Sequence, residues 1–453
     1  MRFSSITSKN VLWFIAMASL VQFFVLGRWY RGKVFEGDVV SYYCYLPAVV
    51  VHGDISMSYA PGNDFYSDKV WGVIWKDGFG PVQKYTMGLS WLYAPFFLVA
   101  HGSALVLGYE AHGYSGPYKF WLQLSAIFYL CLGMAWLRKV LLTYFPDKVT
   151  SVTMLVLAFG TNLYYYSFGQ ATMPHVYLFS LVSGLMLLTI RFHAAPHWRS
   201  AVGIGVVCGL LVLIRPSLIL MWCIPLGFGV VSGQLVRDRI RFWIRQFPTF
   251  LLWVLLQALI LLPQLLYWRH LTGHWIYYSY GDESFFWNDP KVLSVLFSYR
   301  NGWLVYTPLM ALGIAGLLFL RREAPPFAVV VPVTLFLGTY VISCWWCWWY
   351  GGSFGQRTFI DYYPLLALGL AVVFTRMQEW LRAKALKIAA WSLLGLFVAL
   401  NLFQTFQYGR GILHYDSMTA RAYWNAFGRD RRSPTQSQEL MAPDYEAAKR
   451  GER

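Results

Sequence analysis

Long apolar runs separated by short polar segments are the main feature of this chain. A run of about 20 apolar residues matches the thickness of a bilayer. In lipid the backbone must satisfy its own hydrogen bonds, so each run predicts a helix. The clearest runs are 11–27, 118–136, 149–165, 175–190, 247–267, 303–320, 327–344, 362–375 and 388–406. The pattern predicts an all-α, polytopic transmembrane protein.

Two further runs break the simple alternation of sides that basic loops require, since such loops usually face the cytoplasm. Residues 86–108 are expected to dip into the membrane without crossing, because a crossing would place Arg138 and Lys139 outside. Residues 201–231 are expected to form two short helices broken at Arg215-Pro216, because proline cannot continue a helix. The sequence thus predicts about eleven transmembrane helices.

The composition supports a membrane protein and argues against a nucleic-acid partner. Hydrophobic residues make up 57% of the 453 residues and charged residues 13%, against roughly 25% charged in soluble domains. The formal charge of +16 comes mostly from short loops, where basic residues orient helices, and no basic-aromatic groove is evident. The six cysteines form no disulfide framework. Cys344 and Cys347 form a CxxC without further zinc ligands nearby.

The predicted topology gathers the polar segments on the external side. Residues 1–407 form the transmembrane domain, with a first external loop at 28–117, and residues 408–453 form an external tail. From about Arg429 the tail is expected to be disordered, because it is rich in charge and poor in apolar residues. Only short basic loops face the cytoplasm, and they contain no nucleotide-binding motif. The expected location is a bacterial-type inner (plasma) membrane, with the active site facing the periplasm or exterior.

The first candidate for chemistry is an acidic pair directly after the first apolar run, in FEGDVVSYYCYLP from residue 35. Asp38 can act as the base that activates an acceptor hydroxyl or amine. Alternatively, it caps the helix that begins near Val39. Glu36, Tyr42 and Tyr43 accompany Asp38 and are expected to bind substrate.

Two further motifs lie where loops meet the membrane. Lys84 and Tyr85, in PVQKYTMG, can hold a phosphate at the lipid surface, although a lysine there also snorkels to headgroups. His175 ends the stretch FGTNLYYYSFGQATMPH and can bind phosphate or sugar. Tyr165 in the same stretch is expected to contact substrate, or it belongs to an interfacial aromatic belt.

Two arginines and an aromatic segment complete the set. Arg215 lies in an apolar stretch, where a charge usually faces a polar cavity or a partner, and an anionic phosphate is its natural partner. Arg357, in WWCWWYGGSFGQRTFIDYYP, can pair bidentately with a phosphate. In the same segment Trp349 can stack on a sugar face, and Gln356 and Asp361 are expected to bind substrate.

In their order and common side, these motifs resemble the C-type integral-membrane glycosyltransferases, which include protein O-mannosyltransferases and bacterial lipid A aminoarabinose transferases. The likeness extends to about residue 406. It rests on the acid in EGDVVSYYCYLP and on KYTMGLSWLYAPFF, which is similar to the family's KYPPG-type segment before an embedded helix. It also rests on FGTNLYYYS with His175, where Pro174 replaces the family's serine, and on LIRPS and GGSFGQR.

The resemblance implies an inverting glycosyltransferase that takes a sugar from a polyprenyl-phosphate carrier. Asp38 would deprotonate the acceptor. The lipid phosphate would be held by Lys84, Tyr85, Arg215, Arg357 and His175. The expected partners are membrane lipid, the polyprenyl-phosphate sugar and a glycan, lipid or protein acceptor, without nucleic acid, cofactor or divalent metal. The alternatives are a transporter or flippase of lipid-linked sugars and an O-antigen polymerase or ligase-like protein.

Overall fold

The structure is a computed structural model that describes residues 7–31, 34–67, 69–70, 73–74, 82–231 and 233–453. Several stretches of the first loop, 28–117, therefore lie outside the described residues.

The regular secondary structure of the described chain is almost entirely helical. The α-helices are α1 (Ser8–Leu26), α2 (Asp38–Tyr43), α3 (Tyr45–Val50), α4 (Gly88–Leu107), α5 (Gly116–Tyr144), α6 (Asp147–Phe159), α7 (Leu163–Phe168), α8 (Pro174–Ala194), α9 (Trp198–Ile214), α10 (Cys223–Gly227), α11 (Gly233–Arg245), α12 (Phe247–Thr272), α13 (Val292–Phe297), α14 (Trp303–Tyr306), α15 (Met310–Leu317), α16 (Leu320–Glu323), α17 (Val330–Cys344), α18 (Tyr363–Trp380), α19 (Lys384–Gly409), α20 (Ala420–Ala426), α21 (Gln436–Glu439) and α22 (Tyr445–Lys449). Three 3-10 turns cover Pro216–Trp222, Pro325–Phe327 and Arg357–Tyr362. Two short strands, β1 (Val73–Ile74) and β2 (Val82–Gln83), pair antiparallel.

Eight helical segments of the described chain are long and apolar enough to cross a membrane. They are α1, α4, α5, α8, α12, Pro325–Cys344, Arg357–Met377 and α19, and each has at least 19 residues. At 1.5 Å per residue such a helix covers about 28 Å or more, close to the thickness of a hydrocarbon core. The prediction of an all-α, multi-pass membrane protein is confirmed.

Polar contacts define one end of the bundle, which we call the basic end. Arg138 near the end of α5 donates to the Ser8 hydroxyl at 2.7 Å. The Ser8 amide in turn donates to the Asp147 carboxylate at the start of α6 at 3.1 Å. Two further polar pairs at this end are Arg239–His193 and Arg376–Glu323. The opposite end, where Asp38 lies, is called the site end.

Two shorter apolar helical segments, Trp198–Ile214 and Pro216–Gly227, add to the eight long ones. The predicted span 303–320 is not one helix, because Pro308 interrupts it between α14 and α15. The span 149–165 is likewise interrupted at Gly160, between α6 and α7.

The expected break at Arg215-Pro216 is confirmed. Arg215 has extended backbone angles (φ −149°, ψ 104°) directly after α9, and a 3-10 turn starts at Pro216. The segment Pro216–Gly227 returns to the basic end, where the ring of His193 donates to the Pro225 carbonyl at 2.8 Å. The tip of this hairpin therefore places Arg215 at the site end.

The α4 helix is long enough to cross, yet its contacts keep it in the half of the bundle next to the site end. The end of α1 packs beside the start of α5, where the Trp29 and Phe120 rings lie 5.3 Å apart. The second half of α4 packs on the same part of α5, where Trp121 donates to the Ser103 hydroxyl at 3.2 Å. The start of α4 lies at the tip of α9, where Thr86 donates to a backbone carbonyl of the last turn. The chain thus leaves and re-enters the bundle at one end, as expected for a segment that does not cross.

The tail differs from the expectation of disorder. The Tyr445 hydroxyl donates to the Asp416 carboxylate at 2.7 Å. The guanidinium of Arg453 donates to the carbonyls of Cys344 and Trp345 at 3.1 and 2.8 Å. Hydrogen bonds to backbone carbonyls at the end of α17 therefore hold a segment that has few apolar residues, which composition alone does not indicate.

One close helix contact offers a test of the packing. A Cβ at Gly316 of α15 would lie 1.9 Å from the Gly369 carbonyl oxygen of α18, because small residues let membrane helices approach closely. We expect Gly316→Ala to lower the free energy of unfolding in detergent by about 2 kcal/mol or more. Gly395→Ala in α19, where a Cβ meets no atom within 4 Å, is the control. Equal thermal midpoints for the two variants would contradict the packing.

Candidate active site

An ion pair between two distant segments marks the site. The carboxylate of Asp38, the first residue of α2, accepts a hydrogen bond from Nη2 of Arg357 at 3.1 Å. Gly37, with φ of 54°, provides the left-handed turn before the helix, a conformation that glycine adopts without strain. The side chains are 21% and 14% exposed, so the pair is sheltered but open to a ligand. Asp38 and Arg357, which the family resemblance assigns to the acceptor and to the lipid phosphate, thus lie in direct contact.

Asp38 and Arg357 line a cavity of about 320 Å³, which lies within the size range of small-molecule sites. Its other polar lining residues are Arg28, Glu36, Gln123, Gln170 and Thr172, and Gly351 and Gly352 complete one wall. Of these, the sequence points to Glu36, and to Gln170 only as one polar residue of the stretch before His175, but not to Arg28 or Gln123. The signal for Gln123 was an amide inside an apolar span, where polar residues usually face a cavity.

The amide oxygens of Gln123 and Gln170 are buried, and no hydrogen-bond partner lies in reach of them among the described residues. Buried polar atoms in proteins are nearly always hydrogen-bonded. Both residues line the cavity, so these two unpaired acceptors lie in or just beneath its wall.

A second charged group lies behind the first. The Asp361 carboxylate accepts from Nη1 of Arg215 at 2.6 Å and from Nδ1 of His175 at 3.1 Å. Asp361 and His175 are completely buried, whereas the Arg215 side chain is 23% exposed. His175 and Asp361 therefore do not reach the cavity surface, and their contacts orient Arg215. They differ in this respect from the direct phosphate and substrate contacts that the sequence predicts.

Tyr42 and Tyr85 form a wall next to both ion pairs. Their rings stack with centroids 4.6 Å apart. Burial raises the pKa of the Tyr42 phenol. Arg215 lowers this pKa and Asp38 raises it, both by smaller amounts. Burial also raises the pKa of Tyr85, and the Asp38 carboxylate adds to this effect. Both phenols therefore keep their protons at neutral pH and can donate hydrogen bonds to an anion.

Lys84 lies beyond Tyr85 and is not among the residues that line the cavity. Its ammonium forms an ion pair with the Glu283 carboxylate from the loop after α12. It also lies 5.5 Å from the centroid of the Tyr280 ring. The Ser279 hydroxyl donates to the Lys84 carbonyl at 2.6 Å, so this loop is attached to Lys84 at several points. From the sequence, Glu283 is one of three acids, with Asp282 and Asp289, in a loop that suits acceptor binding or a lid, and its pairing with Lys84 is not predicted.

The remaining predicted substrate ligands pack within the protein near the site. Tyr43 donates to the Gly113 carbonyl, Tyr165 packs on Tyr408 at 4.9 Å, Trp349 packs on Tyr445 at 5.6 Å, and Gln356 donates to the Trp348 carbonyl at 2.7 Å. None of these four lines the cavity. Their contacts shape the loops that carry Arg357 and Asp38.

The positive charge of the site comes from side chains. No three His, Cys, Asp or Glu side chains of the described residues cluster as ligands for a metal ion. Arg357, Arg215 and Lys84 are the cations near the tyrosine wall, and each has a carboxylate partner.

Comparisons with known proteins bear on the fold. Neither a protein-family model nor a curated protein sequence matches the chain. The crystal structure of ArnT from Cupriavidus metallidurans bound to undecaprenyl phosphate matches with a TM-score of 0.53 and 13% identity, over 87% of this chain and 75% of that one. The apo oligosaccharyltransferase of Archaeoglobus fulgidus matches with a TM-score of 0.52 and 13% identity, over 98% of this chain. This chain spans only 62% of the length of that enzyme. The likeness shows the fold that these membrane glycosyltransferases share, as the sequence motifs predicted.

The buried carboxylate of Asp361 gives a stability prediction. Asp361→Asn leaves the Arg215 charge, on a side chain that is 23% exposed, without its partner. Breaking a fully buried pair typically costs about 3–5 kcal/mol, which is the upper bound here. We expect a clear drop in the thermal midpoint of the purified protein. Asp430→Asn is the control, because that residue is 75% exposed and pairs with the exposed Arg431 at the surface, where ion pairs contribute at most about 1 kcal/mol. A midpoint for Asp361→Asn equal to that of the control would refute the role of this pair.

Proposed function

We propose that this chain, which has the fold of the polyprenyl-phosphate-dependent C-type glycosyltransferases, is itself an inverting glycosyltransferase. It moves a sugar from a polyprenyl-phosphate carrier to an acceptor. The observation that carries the proposal is the shared cavity of Asp38 and Arg357. A base for the acceptor and a cation for the departing phosphate lie within one hydrogen bond of each other, which is the pair of groups this reaction needs.

In the proposed reaction, an acceptor hydroxyl or amine in the cavity attacks the anomeric carbon of the sugar. The bond between that carbon and the phosphate oxygen breaks, and the new bond forms on the opposite face. Asp38 accepts the proton of the acceptor, as a positioned carboxylate can. The polyprenyl phosphate leaves as an anion, and Arg357 offsets the charge that develops on it.

The phosphate is expected to bind between Arg357 and the tyrosine wall. Arg215 interacts electrostatically with Tyr42, and the Lys84 ammonium lies 5.8 Å from the centroid of the Tyr85 ring, so both cations lie beside this wall. The protonated hydroxyls of Tyr42 and Tyr85 can donate hydrogen bonds to the anion. A guanidinium matches a phosphate with two parallel hydrogen bonds, so Arg357 and Arg215 are the principal ligands. His175 and Asp361 hold Arg215 in place.

We further propose that the site end faces the periplasm or exterior of an inner membrane. The support is the distribution of charge. Arginine-rich α11 and the basic residues at the ends of α5, α16 and α18 lie at the basic end, and loops rich in Lys and Arg usually remain in the cytoplasm. Lipid-linked donors and acceptors would then meet on the opposite face.

A variant of Asp38 tests the activity. In a strain that lacks this protein, the polyprenyl-phosphate sugar should accumulate and the wild-type gene should clear it, as measured by lipid mass spectrometry. Asp38→Asn should clear it about 10²- to 10⁴-fold more slowly, the usual contribution of a general base. Glu110→Gln, which changes an 82% exposed carboxylate of the same loop, is the control. Clearance by Asp38→Asn at the rate of this control would exclude Asp38 as the base.

A second test concerns Lys84. If this ammonium binds the lipid phosphate, Glu283 competes with the ligand for it. Glu283→Gln should therefore tighten binding of undecaprenyl phosphate to the purified protein by about fivefold, the equivalent of roughly 1 kcal/mol for a partly exposed ion pair. Asp282→Asn is the matched control, because the neighbouring carboxylate pairs with Lys449 instead. Equal affinities in the two variants would remove Lys84 from the phosphate site.

The proposed reaction takes its positive charge from arginine and lysine, so it needs no divalent metal. Turnover of the purified protein should be unchanged in the presence of EDTA. A loss of turnover that Mg²⁺ or Mn²⁺ restores would contradict this part of the proposal.

A further inference from the structure

The basic end carries an amphipathic helix whose faces are sharply divided. In α11, the apolar side chains of Val236, Ile240 and Ile244 are 42%, 55% and 69% exposed. Their spacing of four residues places them in one strip along the helix. Three large apolar residues rarely face water in a row, so this strip needs an apolar environment.

A second strip of α11 is basic. Arg237, Arg241 and Arg245 have the same spacing of four residues, one position further along, and all three are exposed. The strip therefore runs beside the apolar one. The acid next to it, Asp238, lies 3.7 Å from Arg241 and offsets one of the three charges in part.

The third face fixes the orientation of the helix on the protein. The indole of Trp243 donates to the Leu226 carbonyl at 2.9 Å and packs against Trp253 at 5.2 Å. Arg239 donates to Nδ1 of His193, at the end of α8, at 2.8 Å. The apolar and basic strips are thus held outward by contacts on the opposite side of the helix.

A cavity of about 490 Å³ lies between α11 and the end of α8. Arg239 and His193 are its basic lining residues, and Tyr144, Phe228 and Phe242 supply aromatic walls. Asp238 is its acidic lining residue. This cavity is at the opposite end of the bundle from Asp38 and is separate from the proposed active site.

We propose that α11 lies in the membrane interface and binds anionic phospholipid. The apolar strip of Val236, Ile240 and Ile244 contacts acyl chains, and the basic strip contacts phosphate headgroups. An interfacial helix combines these two features. The cavity beside Arg239 takes the phosphate of one such lipid, since basic pockets between helix ends at the cytoplasmic surface suit anionic headgroups. A partner protein on the apolar strip is the competing occupant, and it would not depend on the lipid headgroup.

Native mass spectrometry of the purified full chain tests this proposal. The probes are phosphatidylglycerol and phosphatidylcholine with identical acyl chains. The wild type should retain phosphatidylglycerol preferentially. The triple variant Arg237→Gln/Arg241→Gln/Arg245→Gln should bind it at least about tenfold more weakly, since one basic residue near an anionic surface contributes about fivefold. Arg239→Gln should lose one tightly retained lipid.

The charge-matched control is Arg321→Gln/Arg322→Gln/Arg382→Gln, which removes three exposed arginines of the same end outside α11. It should change phosphatidylglycerol binding less than twofold. An equal loss of phosphatidylglycerol binding in the control would show that only the total charge of this end matters, and it would overturn the proposal. Equal retention of phosphatidylcholine by the wild type would also overturn it. Thermal midpoints in lipid-free detergent should match among all variants. If the triple variant has a lower midpoint, Ile240→Ser/Ile244→Ser is used in its place. Loss of this apolar contact should weaken binding of both lipids, and unchanged binding of both would overturn the proposal.

Discussion

The ion pair between Asp38 and Arg357 is the interaction on which the site depends. It joins the start of α2 to the turn before α18, across 319 positions of the chain. A charge that is largely shielded from water is costly unless an opposite charge lies beside it. Asp38 and Arg357 therefore compensate each other's charge. The loops that shape the cavity are arranged around this contact, because Gly37 turns the chain into α2 and Gln356 ties the Arg357 turn to Trp348.

The same arrangement recurs around the tyrosine wall. Arg215 is paired with Asp361, and Lys84 is paired with Glu283. Three cations that suit a phosphate are thus each paired with a carboxylate. In the proposed reaction a lipid phosphate would exchange with these carboxylates, so the net gain per contact would be smaller than the contact alone suggests. The exchange at Arg357 would also free Asp38 to accept a proton.

The sequence indicates the membrane architecture well and the individual contacts less well. The architecture follows from local signals, namely the apolar runs, the basic loops and the proline after Arg215. They predict the membrane helices and the hairpin at Arg215. The sharing of one cavity by Asp38 and Arg357 follows from their common side and from the family resemblance. The partner of Lys84 could not be predicted, because Glu283 looks like any loop acid until α12 places it there. The role of His175 could not be predicted either. Its position in the sequence indicates the end of a membrane helix, and only the tertiary structure shows that it is buried against Asp361.

The most direct test of the account is a cryo-electron microscopy structure of the chain in lipid nanodiscs with undecaprenyl phosphate. The account predicts density for the phosphate within hydrogen-bonding distance of the Arg357 guanidinium, with the Asp38 carboxylate facing the cavity. A phosphate bound away from Arg357, with the Asp38–Arg357 pair still closed, would contradict it.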